Sequence, residues 1–184
     1  MRWTVLDTPI GDLSVAVADG AVCGVRFGRV EPPTAEPPGG PPATESPAGP
    51  PAAEPPGGPG AGDDELSRWA AAELDAYFAG ELTGFTVPVA VRRGSEFERA
   101  VWQAMTRIPY GGTLTYGEVA KALGDPGAAR AVGVACNRNP LPVIVPCHRI
   151  VGAGGKLVGF GGGLPRKVHL LELEARVTLQ RAWS

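Results

Sequence analysis

The 184-residue chain has little histidine, little cysteine and no long apolar run, and each scarcity removes a class of function. No stretch of eighteen apolar residues exists, so the sequence holds no membrane-spanning helix. The first residues, MRWTVLDTPIGDL, place Asp and Pro where a secretory leader needs an unbroken apolar core, so a soluble cytoplasmic protein is expected. Three scattered cysteines, Cys23, Cys136 and Cys147, are too few for a disulfide framework. Two histidines, His148 and His169, with no CxxC pair, make no structural zinc site, so neither metal nor cofactor is expected. What remains open is one reactive thiol. The length suits one medium domain or two small ones.

The net charge of −2 hides an asymmetry. Residues 1–91 carry four Lys/Arg against thirteen Asp/Glu, a net of −9, and residues 92–184 carry thirteen against six, a net of +7. A basic half in an acidic chain is what a polyanion partner would meet, or simply a solvated surface, and charge alone does not separate the two.

Segments 2–8 and 12–18 read as strands, with turn residues Ile10-Gly11-Asp12 between them. Asp19-Gly20 then leads into a third strand over 21–27, giving an antiparallel meander. From Glu31 to Gly62 the composition breaks into Pro, Gly and Ala, with no aromatic residue and no Leu, Ile, Val or Met. Such a stretch cannot offset its ordering entropy and is expected to be a disordered insertion; an SH3-type docking role would need basic anchors, which it lacks. Folded pattern resumes at Asp63, where Leu66, Trp69, Ala70, Leu74, Tyr77 and Phe78 share a helical face ending at Gly80. FTVPVAVR at 85–92 reads as an extended segment at a sheet edge, given Pro88.

The remainder is helix-rich. Ser95 with Glu98 and Thr115 with Glu118 each have the spacing of a capping box. Phe97, Val101, Ala104, Met105 and Ile108 form the stripe behind the first, and Val119, Ala120 and Leu123 the face behind the second. The turn at 124–127 separates this helix from another over 128–139, the spacing of a helix-turn-helix, which simple helical hairpins share. Ala128, Ala129, Ala131, Gly133 and Ala135 leave that last helix slim, with Arg130 protruding. Close packing and close approach to DNA both ask for such a helix.

Val143, Ile144 and Val145 form a short buried run that ends at Pro146-Cys147-His148. A thiol beside an imidazole is a nucleophile arrangement, because the thiolate is the reactive form. Adjacent residues of a strand face opposite ways, so the pair would cooperate only through a turn or a water. By itself a Cys-His dipeptide is usually inert.

Pro146-Cys147-His148-Arg149-Ile150 resembles the PCHR[VI] signature of the O6-alkylguanine-DNA alkyltransferases, and the resemblance runs essentially without gaps through residues 97–174. It implies an α+β chain: a small ribonuclease-H-like α/β unit over 1–91 interrupted at 31–62, then a helical, winged-helix-like domain over 92–184. That domain would hold the helix-turn-helix (115–139) and the active-site segment (146–149). It implies Cys147 as alkyl acceptor, His148 as the base that takes the thiol proton through a water, Glu174 orienting His148, and Asn139 organising the turn near the thiol. Tyr116 would promote flipping and donate to N3 of guanine, and Arg130 would fill the gap in the base stack. Ala128, Ala129 and Gly133 would line a minor-groove contact. Pro142, Ile150, Gly159, Phe160 and Gly161 would form the substrate pocket: the Gly161 amide bonds O6, and the Cys147 and Ile150 carbonyls accept from the guanine amino group. The partner implied is double-stranded DNA bearing O6-alkylguanine, or O4-alkylthymine, met by a monomer that is consumed in one turnover. No membrane is implied.

Three features depart from the family pattern: the insertion, glycine at 161 where some relatives carry serine, and the absence of an N-terminal zinc ligand set. A non-transferring lesion-binding relative replaces the acceptor cysteine, which this chain keeps as Cys147. A cysteine hydrolase would leave the slim helix and Arg130 unexplained, and the regulators of the family carry an extra cysteine-rich domain that this sequence lacks.

Overall fold

A computed structural model describes residues 1–30 and 62–184, so the insertion expected over 31–62 lies outside the described residues except for Gly62. The meander is present as β1 (Arg2–Leu6), β2 (Leu13–Ala18) and β3 (Ala21–Phe27), antiparallel in the order 1-2-3. Asp19 and Gly20 both take positive φ, 50° and 75°, the requirement of a tight two-residue hairpin turn, and Ala18 pairs with Ala21 across it.

β2 is buried along its whole length, on both faces. Leu13, Val15 and Val17 join Leu66, Ala70 and Leu74 of α1 (Asp63–Phe78) in the core. On the other face Trp3 pairs with Ala16, which pairs with Gly24, and the indole lies over this row of small residues. A Cβ on Gly24 would stand 3.5 Å from the Trp3 ring, and Arg26 caps that ring at 5.4 Å. The small side chains of β2 are thus covered by a neighbour's indole rather than by a second layer.

α1 ends as the sequence indicates: Gly80 (φ 78°) turns the chain, and the Glu81 amide bonds the Ala76 carbonyl at 2.9 Å. Trp69 and Phe78 of its stripe are only half-buried, whereas Glu73 is buried, which polarity alone argues against. Its carboxylate accepts from the Thr86 amide (2.9 Å), the Val87 amide (3.0 Å), the Trp69 indole (3.1 Å) and the Thr86 hydroxyl. The start of the 85–92 segment is therefore held by a carboxylate, and the rest lies extended along the sheet edge, as expected. It meets β3 in one parallel bridge, Val22 to Val89, and Pro88 has no N–H with which to extend the ladder.

α2 (Glu96–Thr106) and α3 (Tyr116–Ala122) both open on complete capping boxes, at Ser95/Glu98 and Thr115/Glu118. α4 (Ala129–Asn137) is shorter than the expected 128–139: Ala128 stands at its N-cap and offers no side-chain oxygen, and the chain leaves the helix at Arg138. The Trp102 indole donates to the Ala135 carbonyl at 2.8 Å and pins α4 to α2. Two elements have no counterpart in the sequence reading. One is a two-residue parallel pair, β4 (Leu114–Thr115) with β5 (Ile150–Val151). The other is α5 (Leu164–Ala182), whose buried face is Lys167, Leu170, Leu173, Glu174 and Val177. No helix among the described residues is long and apolar enough to cross a membrane.

Removing the Glu73 carboxylate strands four donors. Glu73→Ala is expected to lower the unfolding free energy by about 3 kcal/mol, since buried donors left without partners cost about 1–3 kcal/mol each and some recover water. Urea titration followed by tryptophan fluorescence checks it, and an unchanged midpoint would reject the stapling role.

Candidate active site

The approach to Cys147 is a chain of local hydrogen bonds. The Asn139 side chain donates to the Val145 carbonyl (2.8 Å) and accepts from the Leu141 amide (3.0 Å). The Val145 amide returns to the Leu141 carbonyl at 2.7 Å, and the Cys147 amide to the Val145 carbonyl at 2.9 Å across Pro146 (φ −82°, ψ 68°), an inverse γ-turn. Inside this loop Val143 is held at φ 75°, a region a β-branched residue enters only when its surroundings impose it. Ile144, expected to be buried with its neighbours, is half-buried. Cys147–Arg149 then form a single 3-10 turn, which answers how adjacent residues can serve one site: they are fanned around a turn instead of alternating on a strand.

His148 is wholly buried, and its Nε2 lies 2.8 Å from Glu174 Oε1. Glu174 gathers further donors. Arg149 gives Nε to Oε2 at 2.9 Å and an NH2 group to Oε1 at 2.9 Å, the Gly111 amide bonds Oε2 at 3.0 Å, and the Tyr77 hydroxyl bonds Oε1 at 2.7 Å. Arg149 also donates to the Ile108 carbonyl at 2.7 Å. Burial by itself would raise the Glu174 carboxyl, but the hydrogen bonds and charges of His148 and Arg149 outweigh it and hold the group down at about 2. Burial pushes His148 below the ordinary histidine value, against the pull of Glu174, so the ring is neutral. An ionised Glu174 can only accept, so Nε2 carries the ring proton and Nδ1 keeps its lone pair. Nδ1 is buried and has no hydrogen-bond partner among the described residues.

Cys147 is 6% exposed, and burial raises its thiol, against the favourable influence of Asn139 and the Lys167 charge. It opens on a cavity of about 280 Å³ whose lining also includes Phe27, Cys136, Asn139, Pro142, Phe160 and Gly161. Of the expected pocket residues, Ile150 is fully buried and Gly159 is exposed, and neither lines this cavity. A second cavity of about 330 Å³ runs behind the 143–146 segment, touches Arg149 and does not reach Cys147.

Tyr116, at the start of α3, donates to the Val158 carbonyl at 3.1 Å, and burial pushes its phenol up to about 12. It packs beside Gly133 of α4, where an added Cβ would stand 3.7 Å from the ring. Arg130 is exposed on α4, and Ala128 and Ala129 are half-exposed at its start. The structure thus assembles Cys147, His148, Glu174 and Asn139 as one cluster, and leaves Arg130 exposed and Ala128 and Ala129 half-exposed at the start of α4.

Sequence reasoning missed three members. Tyr77 reads as one more core residue of the α1 stripe. Arg149 lies in the quoted signature, yet only the fold gives it a partner. Lys167 is 0% exposed, with Nζ donating to the Ile150 carbonyl at 2.6 Å and lying 5.9 Å from the Tyr116 ring centre. A lysine at core spacing with Leu170, Leu173 and Val177 is the signal that could have found it.

Both shifted groups lower stability in acid. The folded His148 binds its proton less readily than the unfolded residue, so stability is expected to fall as pH drops below about 6.5. Glu174 is held low in the fold, so its contribution is full above about 4.3 and is lost as pH falls toward about 2. Urea midpoints measured from pH 7 to pH 3 check this; Glu174→Gln should remove the lower part of the fall, and identical profiles would contradict the assignment.

Comparison with known proteins follows the same division of the chain. Residues 1–91 match the ribonuclease-like domain, and residues 96–176 the DNA binding domain, of 6-O-methylguanine DNA methyltransferase. A methylated-DNA–protein-cysteine methyltransferase of Mycobacterium leprae is 58% identical over 110 residues, which span 60% of this chain and 66% of that protein. One from Methanosarcina acetivorans is 55% identical over 112 residues, 61% of this chain and 71% of that protein. The crystal structure of Mycobacterium tuberculosis OGT in complex with DNA superposes with a TM-score of 0.74 at 38% identity, over 96% of this chain and 94% of that one. The mixed α/β architecture and both halves of the sequence agree: the chain belongs to the 6-O-methylguanine DNA methyltransferase family.

Proposed function

We propose that the chain repairs DNA by direct reversal, moving the alkyl group of an O6-alkylguanine onto Cys147 once and irreversibly. The observation that carries this is the buried His148 Nδ1, a neutral base without a protein partner, beside a thiol that opens on its own cavity. A water joining Nδ1 to the thiol takes the proton inward as Sγ attacks the alkyl carbon. The S–C bond forms in line as the C–O6 bond breaks, and guanine leaves. Glu174 stabilises the imidazolium without taking its proton, since so well-bonded a carboxylate is a weak base. Tyr116 keeps its own proton at neutral pH and supplies it toward N3 of the leaving guanine, while the Gly161 amide bonds O6.

The alkyl carbon cannot be reached in a stacked duplex, so the nucleotide must be flipped, at a cost of a few kcal/mol. The α3–turn–α4 pair serves as the helix-turn-helix: Ala128, Ala129 and Gly133 keep α4 slim enough for the minor groove, and Arg130 takes the vacated place in the stack. The net +7 of residues 92–184 supports that surface as the one that meets phosphates. The thioether product has no hydrolysable bond, so a second turnover is not expected. O4-alkylthymine is a further candidate lesion for the same cavity.

An oligonucleotide duplex carrying O6-methylguanine should leave one methyl group on the peptide containing Cys147, at a ratio of one per chain, by intact-mass and peptide mapping. Cys147→Ala should abolish transfer, and Cys23→Ala, altered in the sheet, should not. Arg130→Ala should slow transfer roughly tenfold or more, equivalent to at least ~1.4 kcal/mol in the barrier. Several lesions cleared per chain, or transfer surviving Cys147→Ala, would refute the reading.

A further inference from the structure

Tyr77 belongs to α1, far in sequence from the cysteine segment, yet it is fully buried against the relay. Its ring packs on Phe78, Phe85 and Tyr110, with centroids 5.4, 5.3 and 6.0 Å away, and a phenylalanine would satisfy all three. The hydroxyl has a different use. It donates to Glu174 Oε1 at 2.7 Å, and its oxygen stands 3.4 Å from His148 Nε2.

We propose that Tyr77 is a positioning residue of the proton relay, through which the N-terminal half of the chain sets how strongly Glu174 holds His148. The proposal rests on reading His148 as the base for Cys147. Two effects oppose each other. Donation to Oε1 drains charge from the oxygen that binds Nε2 and makes imidazolium less favourable. The phenol oxygen, facing Nε2, makes it more favourable. The first contact is short and charge-assisted, and the second is too long to compete, so the net effect is to keep His148 less basic.

The other charged and titratable groups around the ring come from different elements. Arg149 and Cys147 share its turn, Glu174 and Lys167 come from α5, and Tyr110 lies in the loop before β4. Arg149 and Lys167 also disfavour imidazolium, but both are cations fixed by several bonds. Tyr77 is the neutral side-chain donor, beside the Gly111 amide on the other oxygen, and it can be removed without changing charge or ring shape. Burial and the Glu174 carboxylate push its own phenol far above the ordinary tyrosine value, so it remains a donor at any working pH.

The test is Tyr77→Phe, read in two ways. In single-turnover transfer from an O6-methylguanine duplex, the acid limb of the pH–rate profile should move upward by about one pH unit, the size expected for losing one hydrogen bond to a charged group. Rates should then be lower by up to about tenfold on the acid limb and unchanged on the plateau. Independently of DNA, the ¹⁵N resonances of His148 should titrate higher by the same interval, while those of His169, the chain's other histidine, stay put. Leu74→Ala, which loosens α1 without touching the relay, should lower stability and leave the limb in place. Superimposable limbs and an unmoved His148 titration in Tyr77→Phe would overturn the proposal, as would an equal shift in Leu74→Ala. Failure of all transfer would defeat the repair reading, while the His148 titration would still decide the role of Tyr77.

Discussion

A carboxylate taken out of water costs several kcal/mol unless its oxygens are met by donors, and the Glu174 side chain is met from every direction. Its partners come from α1 (Tyr77), from the loop between α2 and β4 (Gly111) and from the 3-10 turn (His148 and Arg149), while Glu174 itself lies on α5. No one of these elements can shift without exposing an unpaired charge in the core. Gly111 shows how tight the arrangement is: it sits at φ 77°, and an added Cβ would stand 2.2 Å from the Thr178 hydroxyl. The relay is the bolt at which the two halves of the chain meet.

This constraint also fixes the character of the thiol. Burial raises Cys147, so at neutral pH it is a thiol and not an exposed thiolate open to any electrophile. Its reactivity is conditional on a proton acceptor, and the lone pair of His148 Nδ1 is available only because Glu174 fixes the other nitrogen as N–H. For the single-use acceptor proposed above, low background reactivity is a useful property. The strained Val143 and the γ-turn at Pro146 serve the same end, because they present Cys147 to the cavity while the following ring points into the core.

Much of the local structure was legible because it depends on neighbours in sequence. Both capping boxes, the Asp19-Gly20 hairpin and the stop at Gly80 need only a few adjacent residues to declare themselves, and each is formed as read. The sequence was silent where a distant group decided. Nothing in the order of residues along β2 announces that its small side chains lie under the Trp3 indole of the neighbouring strand. The 85–92 segment lies extended at the edge of the sheet as read, and what the sequence did not show is that a buried glutamate of α1 takes two of its amides.

The sequence by itself determined the chemistry on offer: one thiol in a PCHR segment, a basic C-terminal half, a slim helix with one arginine and a family resemblance spanning 97–174. Identity and order of residues suffice for that, since a motif is a linear pattern. Tertiary structure alone decided which tautomer His148 adopts, that Arg149 and Tyr77 share the Glu174 carboxylate, and that Lys167 is buried with its ammonium on backbone carbonyls. Those are pairings between residues from 17 to 97 positions apart, and the energy that sets them exists only once water has been excluded from the space between.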